Sequence, residues 1–336
     1  MNRQGILAAG NFIVDRIKRI DLYPAENMLA TIDDETRSNG GGPYNLLKDL
    51  AAMGAGYPLL AAGRIGEDAD GEWIRQDCHE HGIDTAGLAS DAENPTSYTE
   101  VMTVRDTGRR TFFHRRGANA RFNGGNLDFS NCHARMFHLA YLMLLDGLDA
   151  FAADGRTHAS HLLERASAAG LVTSIDIVST EHPRFREIVL SALPHTDHLL
   201  INEVEASRVL EREIDPANSQ ELLAAARELL AGGVRVGVVL HTQFGAVSVR
   251  ASGEFHSQGA VTVPTNYIRG ANGAGDAFAA GYLHGVHEKY PVPAALELAV
   301  CTAAACLADA SPSAGLVPID ACLALGWSHG FSTFSL

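Results

Sequence analysis

Short apolar runs alternate along the chain with segments whose apolar residues recur at helical spacing. The runs GILAAG (5–10), YPLLAAGRIG (57–66), MFHLAYLML (136–144), LVTSIDIV (171–178) and VRVGVVLH (234–241) predict buried strands. NLLKDLAAMGA (45–55), DGEWIRQDCHEHG (70–82), THASHLLERASAAG (157–170) and SQELLAAARELLAGG (219–233) predict helices, stopped at Gly54, Gly82, Gly170 and the Gly232–Gly233 pair. HLLINEVEA (198–206) passes from strand to helix. This rhythm predicts an α/β fold: a mostly parallel central sheet with helices on both faces.

Two segments break the rhythm. Residues 11–40 and 95–116 are polar and alternate, as in TSYTEVMTVRD and RRTFFHRR. They predict antiparallel strands with one wet face, pairing into a small sheet beside the main body. No repeat, low-complexity run or Pro/Ser-rich linker appears, so residues 1–336 are read as a single domain carrying these two insertions.

RGANGAGDAFAAG (269–281) raises a chemical question. Glycine in a helix interior costs roughly 1 kcal/mol relative to alanine, yet Gly273 and Gly275 stand where a helix begins. The first N–H groups of a helix lack intrahelical partners and carry partial positive charge. Glycines there let an anion approach closely, and Asp276 in the same turn is placed to accept a proton. An anion hole beside a carboxylate base is what phosphoryl transfer to a hydroxyl needs. The bland reading, a tightly packed helix with an acidic first turn, is equally open at this point. Gly273, Ala277, Gly281 and Gly285, four residues apart, would give that helix a small face for close packing on the sheet.

Other stretches add to this. GGGPYN (40–45) sets three glycines before a helix with Asn45 in its first turns, suited either to gripping hydroxyls or to capping. In NEVE (202–205), Asn202 and Glu205 share a helical face at the end of a strand, where ligands gather in open α/β sheets. They suit either a hydrated Mg²⁺ or a helix cap. Arg109, Arg110, Arg115, Arg116 and Arg121 suit either a substrate anion or surface salt bridges. Tyr44, Tyr98, Phe112 and Phe113 suit either the cover of a sugar or nucleobase or the dry side of the small sheet.

Composition excludes some partners. The chain has 336 residues, 46% hydrophobic and 20% charged, with a net charge of −14. Such acidity argues against nucleic acid or an anionic membrane as the main partner. No apolar run is long enough to span a bilayer, and the N-terminal stretch is interrupted by Gly10, Asn11 and Asp15. Five cysteines without C-x-x-C spacing fit a reducing cytoplasm. There is no G-x-x-x-x-G-K-[ST] and no G-x-G-x-x-G after the first strand.

With GGGPYNLLKDLAAMGA, GRIGEDADGEWI, NEVE and ANGAGDAFAAG in this order, the chain resembles the ribokinase-like (PfkB) family of carbohydrate kinases over nearly its whole length. The resemblance implies ATP- and Mg²⁺-dependent phosphorylation of a sugar-type hydroxyl. Asp276 would be the base, and the N–H groups of Gly273, Ala274 and Gly275 the anion hole. Asn202, Glu205, Thr242, Gly245, Asn272 and Thr302 would serve the nucleotide, with Glu205 near Mg²⁺ through water. Asn11, Asp15, Gly41, Gly42, Asn45 and Asn119 would hold the acceptor. Residues 11–40 and 95–116 would form a β-lid, which makes a homodimer contact in some relatives.

Four positions depart from the family pattern. Gly270 and Ala271 replace the D-T of D-T-x-G-A-G-D, removing the acid that commonly serves a monovalent cation, so potassium activation loses its usual support. Thr242 replaces a nucleotide-loop glycine, and Thr302 an asparagine common near adenine. A nucleoside kinase is the alternative within the family. A non-phosphorylating sugar-binding protein or lyase on the same fold is the alternative outside its chemistry.

Overall fold

The computed structural model describes residues 3–334. In chain order, the N-terminal part forms β1 (Ile6–Gly10), β2 (Ile13–Ile20), β3 (Ile32–Gly40), α1 (Gly42–Met53), β4 (Leu59–Gly66), α2 (Ala69–Glu80), β5 (Ile83–Asp91), β6 (Ser97–Val104) and β7 (Arg110–Arg115). There follow β8 (Met136–Leu142), α3 (Asp146–Asp149), α4 (His158–Ala168), β9 (Val172–Ile177), α5 (Phe185–Ala192), β10 (His198–Asn202), α6 (Glu203–Leu210) and α7 (Ser219–Ala231). The last part forms β11 (Gly237–Thr242), β12 (Gly245–Arg250), β13 (Phe255–Gly259), α8 (Ala274–His287), α9 (Val292–Cys306) and α10 (Ile319–His329).

Nine strands make the main sheet, in the order β13-β12-β11-β10-β9-β8-β1-β4-β5. All neighbouring pairs from β5 to β11 are parallel. The antiparallel β12 and β13 at one edge are additions the sequence pattern did not announce. The parallel strands are buried on both faces, and their side chains divide by alternation. Leu7, Ala9, Leu199 and Ile201 join the core under α4, α5, α6 and α7. Ile6, Ala8 and Leu200 join the core under α1, α2, α8, α9 and α10. The mostly parallel sheet with helices on both faces is thus present. From β1 the chain winds outward to β4 and β5, then returns to add β8 on the other side, so the order reverses beside β1. Crevices for ligands open at such a reversal, at the strands' carboxyl ends.

A separate four-stranded sheet, β3-β2-β6-β7, stands over that end. Its outer pairs are antiparallel, but its central pair β2–β6 is parallel, against the sequence expectation. The cause is topological. β2 continues β1 and β6 continues β5, and those two strands already point the same way.

The small-residue face of α8 packs on α9 rather than on the sheet: a Cβ at Gly281 would stand 2.4 Å from Thr302 Oγ1, and one at Gly285 2.6 Å from Ala295 Cβ. All five cysteines are free. No helix among the described residues is long and apolar enough to cross a membrane.

Candidate active site

α8 begins where the motif predicts, with Gly273 as its N-cap in a left-handed conformation (φ 78°). A side chain there would be both strained and blocked, its Cβ 2.6 Å from Pro312 Cβ. Gly275, by contrast, would bring a Cβ into no more than ordinary contact, with His241 Cε1 at 3.6 Å. One glycine therefore shapes the turn, and the other keeps the helix start clear.

Asp276 follows, 5% exposed. Asn45, in the first turn of α1, donates from Nδ2 to Asp276 Oδ2 at 2.7 Å. The Tyr141 hydroxyl lies 2.6 and 2.7 Å from the two carboxylate oxygens. Burial pushes the Asp276 carboxyl up to about 6, against the pull of these two donors. It is a carboxyl held close to neutrality, charged above that value. Asn45 is itself fixed: Asn39 donates to its Oδ1 at 2.7 Å and to Ser313 Oγ at 3.0 Å.

A cavity of about 470 Å³ opens over Asp276, its roof made by the inner face of the small sheet. Asp15 projects from β2 into it, where Asn272 Nδ2 donates to Oδ2 at 3.2 Å. Burial raises the Asp15 carboxyl to about 7, while Asn272 and Thr99 hold it down and the Asp276 charge adds to the rise. Gly41 lines the wall; its φ of 88° and its approach to Asn11 O (2.3 Å from a notional Cβ) leave room for no other residue.

Asn202 and Glu205 cap α6 reciprocally: Glu205 N donates to Asn202 Oδ1, and Asn202 N to Glu205 Oε2, each at 2.9 Å. Ser179 Oγ and Asn202 Nδ2 both reach Glu205 Oε1 at 2.8 Å. The capping reading is therefore present, and it aims both residues into the same cavity. Burial raises Glu205 to about 7 despite these bonds. Asp176, at the end of β9, is 6% exposed and accepts only the Ile177 N–H among the described residues. Burial, then the charges of Glu205 and Asp276, raise it well above the carboxylate range.

A second, more apolar space of about 640 Å³ adjoins the first and shares Asn202, His241 and Gly275 with it. Thr242, Phe244, Ala271 and Ala274 line it. His241 is stacked on Phe278, centroids 4.8 Å apart, and burial lowers its pKa to about 4, so it is neutral.

The structure redistributes several expected positions. Asn11 is buried behind the site, its Oδ1 accepting from Tyr141 N at 2.6 Å. Asn119 ties β2's entry, bonding Phe12 N and Phe12 O. Gly42 lets α1 approach β8, a notional Cβ lying 2.8 Å from Tyr141 Cε1. These three support the walls rather than line the cavity. Thr302 does not reach the second space; it is fully buried and donates to Leu298 O and Ala299 O. Gly245 lies inside the β12 hairpin against Phe334. Asn272 lines the first cavity, beside Asp15, and not the second space. Tyr141, Asp176 and His241 were missed, because each lies within or at the end of an apolar run that reads as a plain core strand.

Comparison with known proteins agrees with this geometry. Residues 6–319 match the model of the pfkB family carbohydrate kinases. A 5-dehydro-2-deoxygluconokinase of Geobacillus thermodenitrificans is 22% identical over 294 residues, 85% of this chain and 83% of that protein. An ATP-dependent ribose-1-phosphate kinase of Halopiger xanaduensis is 26% identical over 279 residues, 83% of each chain. In fold, the chain is similar to the ribokinase of Arabidopsis thaliana solved with ribose and ATP (TM-score 0.76, 19% identity, 97% of this chain and 99% of that one). It is similar also to a Cryptococcus neoformans ribokinase solved with ADP (TM-score 0.74, 17% identity, 95% and 98%). With the family model spanning nearly the whole chain, this protein belongs to the pfkB family of carbohydrate kinases.

Proposed function

We propose that the chain transfers the γ-phosphoryl group of ATP to a hydroxyl of a sugar-type acceptor, with Asp276 as the base. The observation that carries this reading is the place of Asp276, at the start of α8 where the two spaces meet. The larger, apolar space suits a nucleotide and the polar one an acceptor. The acceptor hydroxyl would lie against Asp276, oriented by Asp15 and Asn272. Asp276 takes its proton as the oxygen attacks the phosphorus in line. The N–H groups of Gly273, Ala274 and Gly275 meet the charge on the moving phosphoryl group.

Asp176 and Glu205 fit a hydrated Mg²⁺: two buried carboxyls face one cavity, and Asp176 has oxygen capacity to spare. The ion would neutralise phosphate charge when bound. Glu205, already bonded on both oxygens, would act on it through water.

A sugar is favoured over a nucleoside as acceptor. Of the four aromatic candidates only Phe112 faces the cavity; Tyr44 is in the core, Tyr98 lies under Arg16 and Phe113 is exposed. The relatives named 5-dehydro-2-deoxygluconokinase and ATP-dependent ribose-1-phosphate kinase support a sugar-type acceptor. The small sheet would act as a lid that excludes water, and its exposed Ile32 and Phe113 would supply a homodimer contact.

The test is ATP consumption over a panel of sugars, sugar acids, phosphosugars and nucleosides, with wild type and Asp276→Asn in parallel. One strong acceptor whose turnover falls by about 10²-fold or more in the variant supports the reading. A wild type that neither turns over any acceptor nor binds ATP with Mg²⁺ overturns it and favours the non-phosphorylating alternative.

A further inference from the structure

The space under the small sheet does not end at the acceptor cavity. Beyond Asn272 lies a further recess of about 690 Å³, between the sheet's inner face and residues 268–272 and 309–311. Strand register orders that inner face into rungs. Asp15, Thr99 and His114 form the first, Ile17, Val101 and Phe112 the second, and Arg19, Thr103 and Arg110 the third. Successive rungs are roughly 6.6 Å apart. The first lines the acceptor cavity and the third lines the recess, with the second between them.

The arginines of the 109–121 stretch separate into used and unused. Arg116 pairs with Asp146 at 2.5 Å, Arg121 lies 3.9 Å from both Asp91 and Glu93, and Arg115 lies over Tyr98. Arg109 is exposed. Arg110 alone is half-buried and has no side-chain partner among the described residues. Burial holds its guanidinium below the ordinary range, and its charge acts on Cys306. Cys306 Sγ in turn donates to the Asn272 carbonyl at 3.3 Å, and Asn272 lines the recess together with Arg110.

The recess is positive within an acidic chain. Arg19, Arg37, Arg110 and Arg269 line it, against Asp34 and Asp309. Arg37 is engaged with Asp70 and Trp73. Asp309 accepts from Ser311 N and Oγ, and Asp34 stands beside Arg19 on β3 without closing an ion pair. Arg19 and Arg269, both exposed at the rim, have no side-chain partner among the described residues, and neither has the half-buried Arg110. A half-buried guanidinium is seldom left unpaired, because desolvation goes uncompensated.

We propose that Arg110, with Arg19 and Arg269, forms an anion subsite for a carboxylate or phosphate on the acceptor, at the end remote from the hydroxyl facing Asp276. This deepens the kinase reading and rests on it for the word acceptor. The acceptor class is then an anionic sugar, either an acid or a phosphate ester, extended beneath the sheet.

The test is calorimetric binding of matched pairs: gluconate against glucitol, and ribose 5-phosphate against ribose. Wild type, Arg110→Met and Arg110→Lys are compared, each checked for an unchanged melting temperature. In the wild type, one anionic member should bind about tenfold or more tightly than its neutral partner, and more weakly at high salt. The preference should vanish in Arg110→Met and return in part in Arg110→Lys. The gluconate and ribose 5-phosphate arms decide between carboxylate and phosphate. The proposal falls if no anionic member out-binds its partner, or if the preference survives Arg110→Met. Anion preference without ATP turnover would sink the kinase reading and leave the subsite standing. Turnover of neutral acceptors without anion preference would do the reverse.

Discussion

Tyr141 places one hydroxyl within 2.7 Å of both oxygens of Asp276, joining the end of β8 to the start of α8 across the site. A phenol so placed holds the carboxylate plane and stabilises its charged form. It lowers the Asp276 pKa against the larger effect of burial.

Tyr141→Phe should therefore raise that pKa. The acid limb of kcat against pH, expected near 6 in the wild type from Asp276, should move to higher pH. At pH 8 the loss should be modest, roughly tenfold or less, and at pH 6 larger. A limb that stays in place would show that Asp276 is not the group whose ionisation limits the rate.

Gly273 and Gly275 should respond differently to substitution. Gly273→Ala meets both a positive φ and Pro312, and should destabilise by roughly 1–3 kcal/mol, read in the melting temperature. Gly275→Val would start from no more than ordinary contact at Cβ, so the fold should be nearly unaffected. Activity should nevertheless fall, because the methyl groups obstruct an anion approaching the helix start. Equal loss of melting temperature in both would mean that Gly275 too is structural.

Asp15 carries a stability consequence. Its carboxyl is raised from 3.8 to about 7 in the fold, so the native state binds the proton more tightly than the unfolded chain. The stabilisation this provides is present below about pH 4 and is lost as pH rises through about 7. Asp15→Asn, whose amide oxygen still accepts from Asn272, should melt at the same temperature as the wild type near pH 4. At pH 8 it should melt several degrees higher, a difference worth up to roughly 4 kcal/mol. Denaturation scans across that range check the sign, and acceptor affinity should fall in the same variant.

Asp176→Asn should leave the fold intact, since it keeps the uncharged form that burial and the charges of Glu205 and Asp276 already favour. The Mg²⁺ concentration for half-maximal rate should rise, by about tenfold or more. An unchanged Mg²⁺ requirement would remove Asp176 from the metal's surroundings.

The parallel sheet was legible because its strands are buried on both faces and read as continuous apolar runs. The start of α8 was legible because glycine and aspartate at a helix entrance have few other uses. The direction of β2 against β6 was not, since it depends on where β1 and β5 end up relative to each other. Tyr141 and Asp176 were hidden for a simpler reason: each is a polar group one residue from the end of a strand that reads as core. The signal that would have found them is a polar residue at the carboxyl end of such a run. Asn11, Asn119 and Thr302 illustrate the opposite error. Their polar atoms satisfy backbone groups, which local sequence does not distinguish from binding.

The rungs on the inner face of the small sheet alternate with residues that face away, so every second position along β2, β6 and β7 can change without disturbing the opposite surface. None of those positions belongs to α8, which carries Asp276. In the proposed kinase, the rungs that would face the acceptor and the carboxylate that would act as base thus stand on separate elements. On that division, a descendant of this chain would change its acceptor by substitutions on alternate residues of the small sheet, leaving the start of α8 as it is.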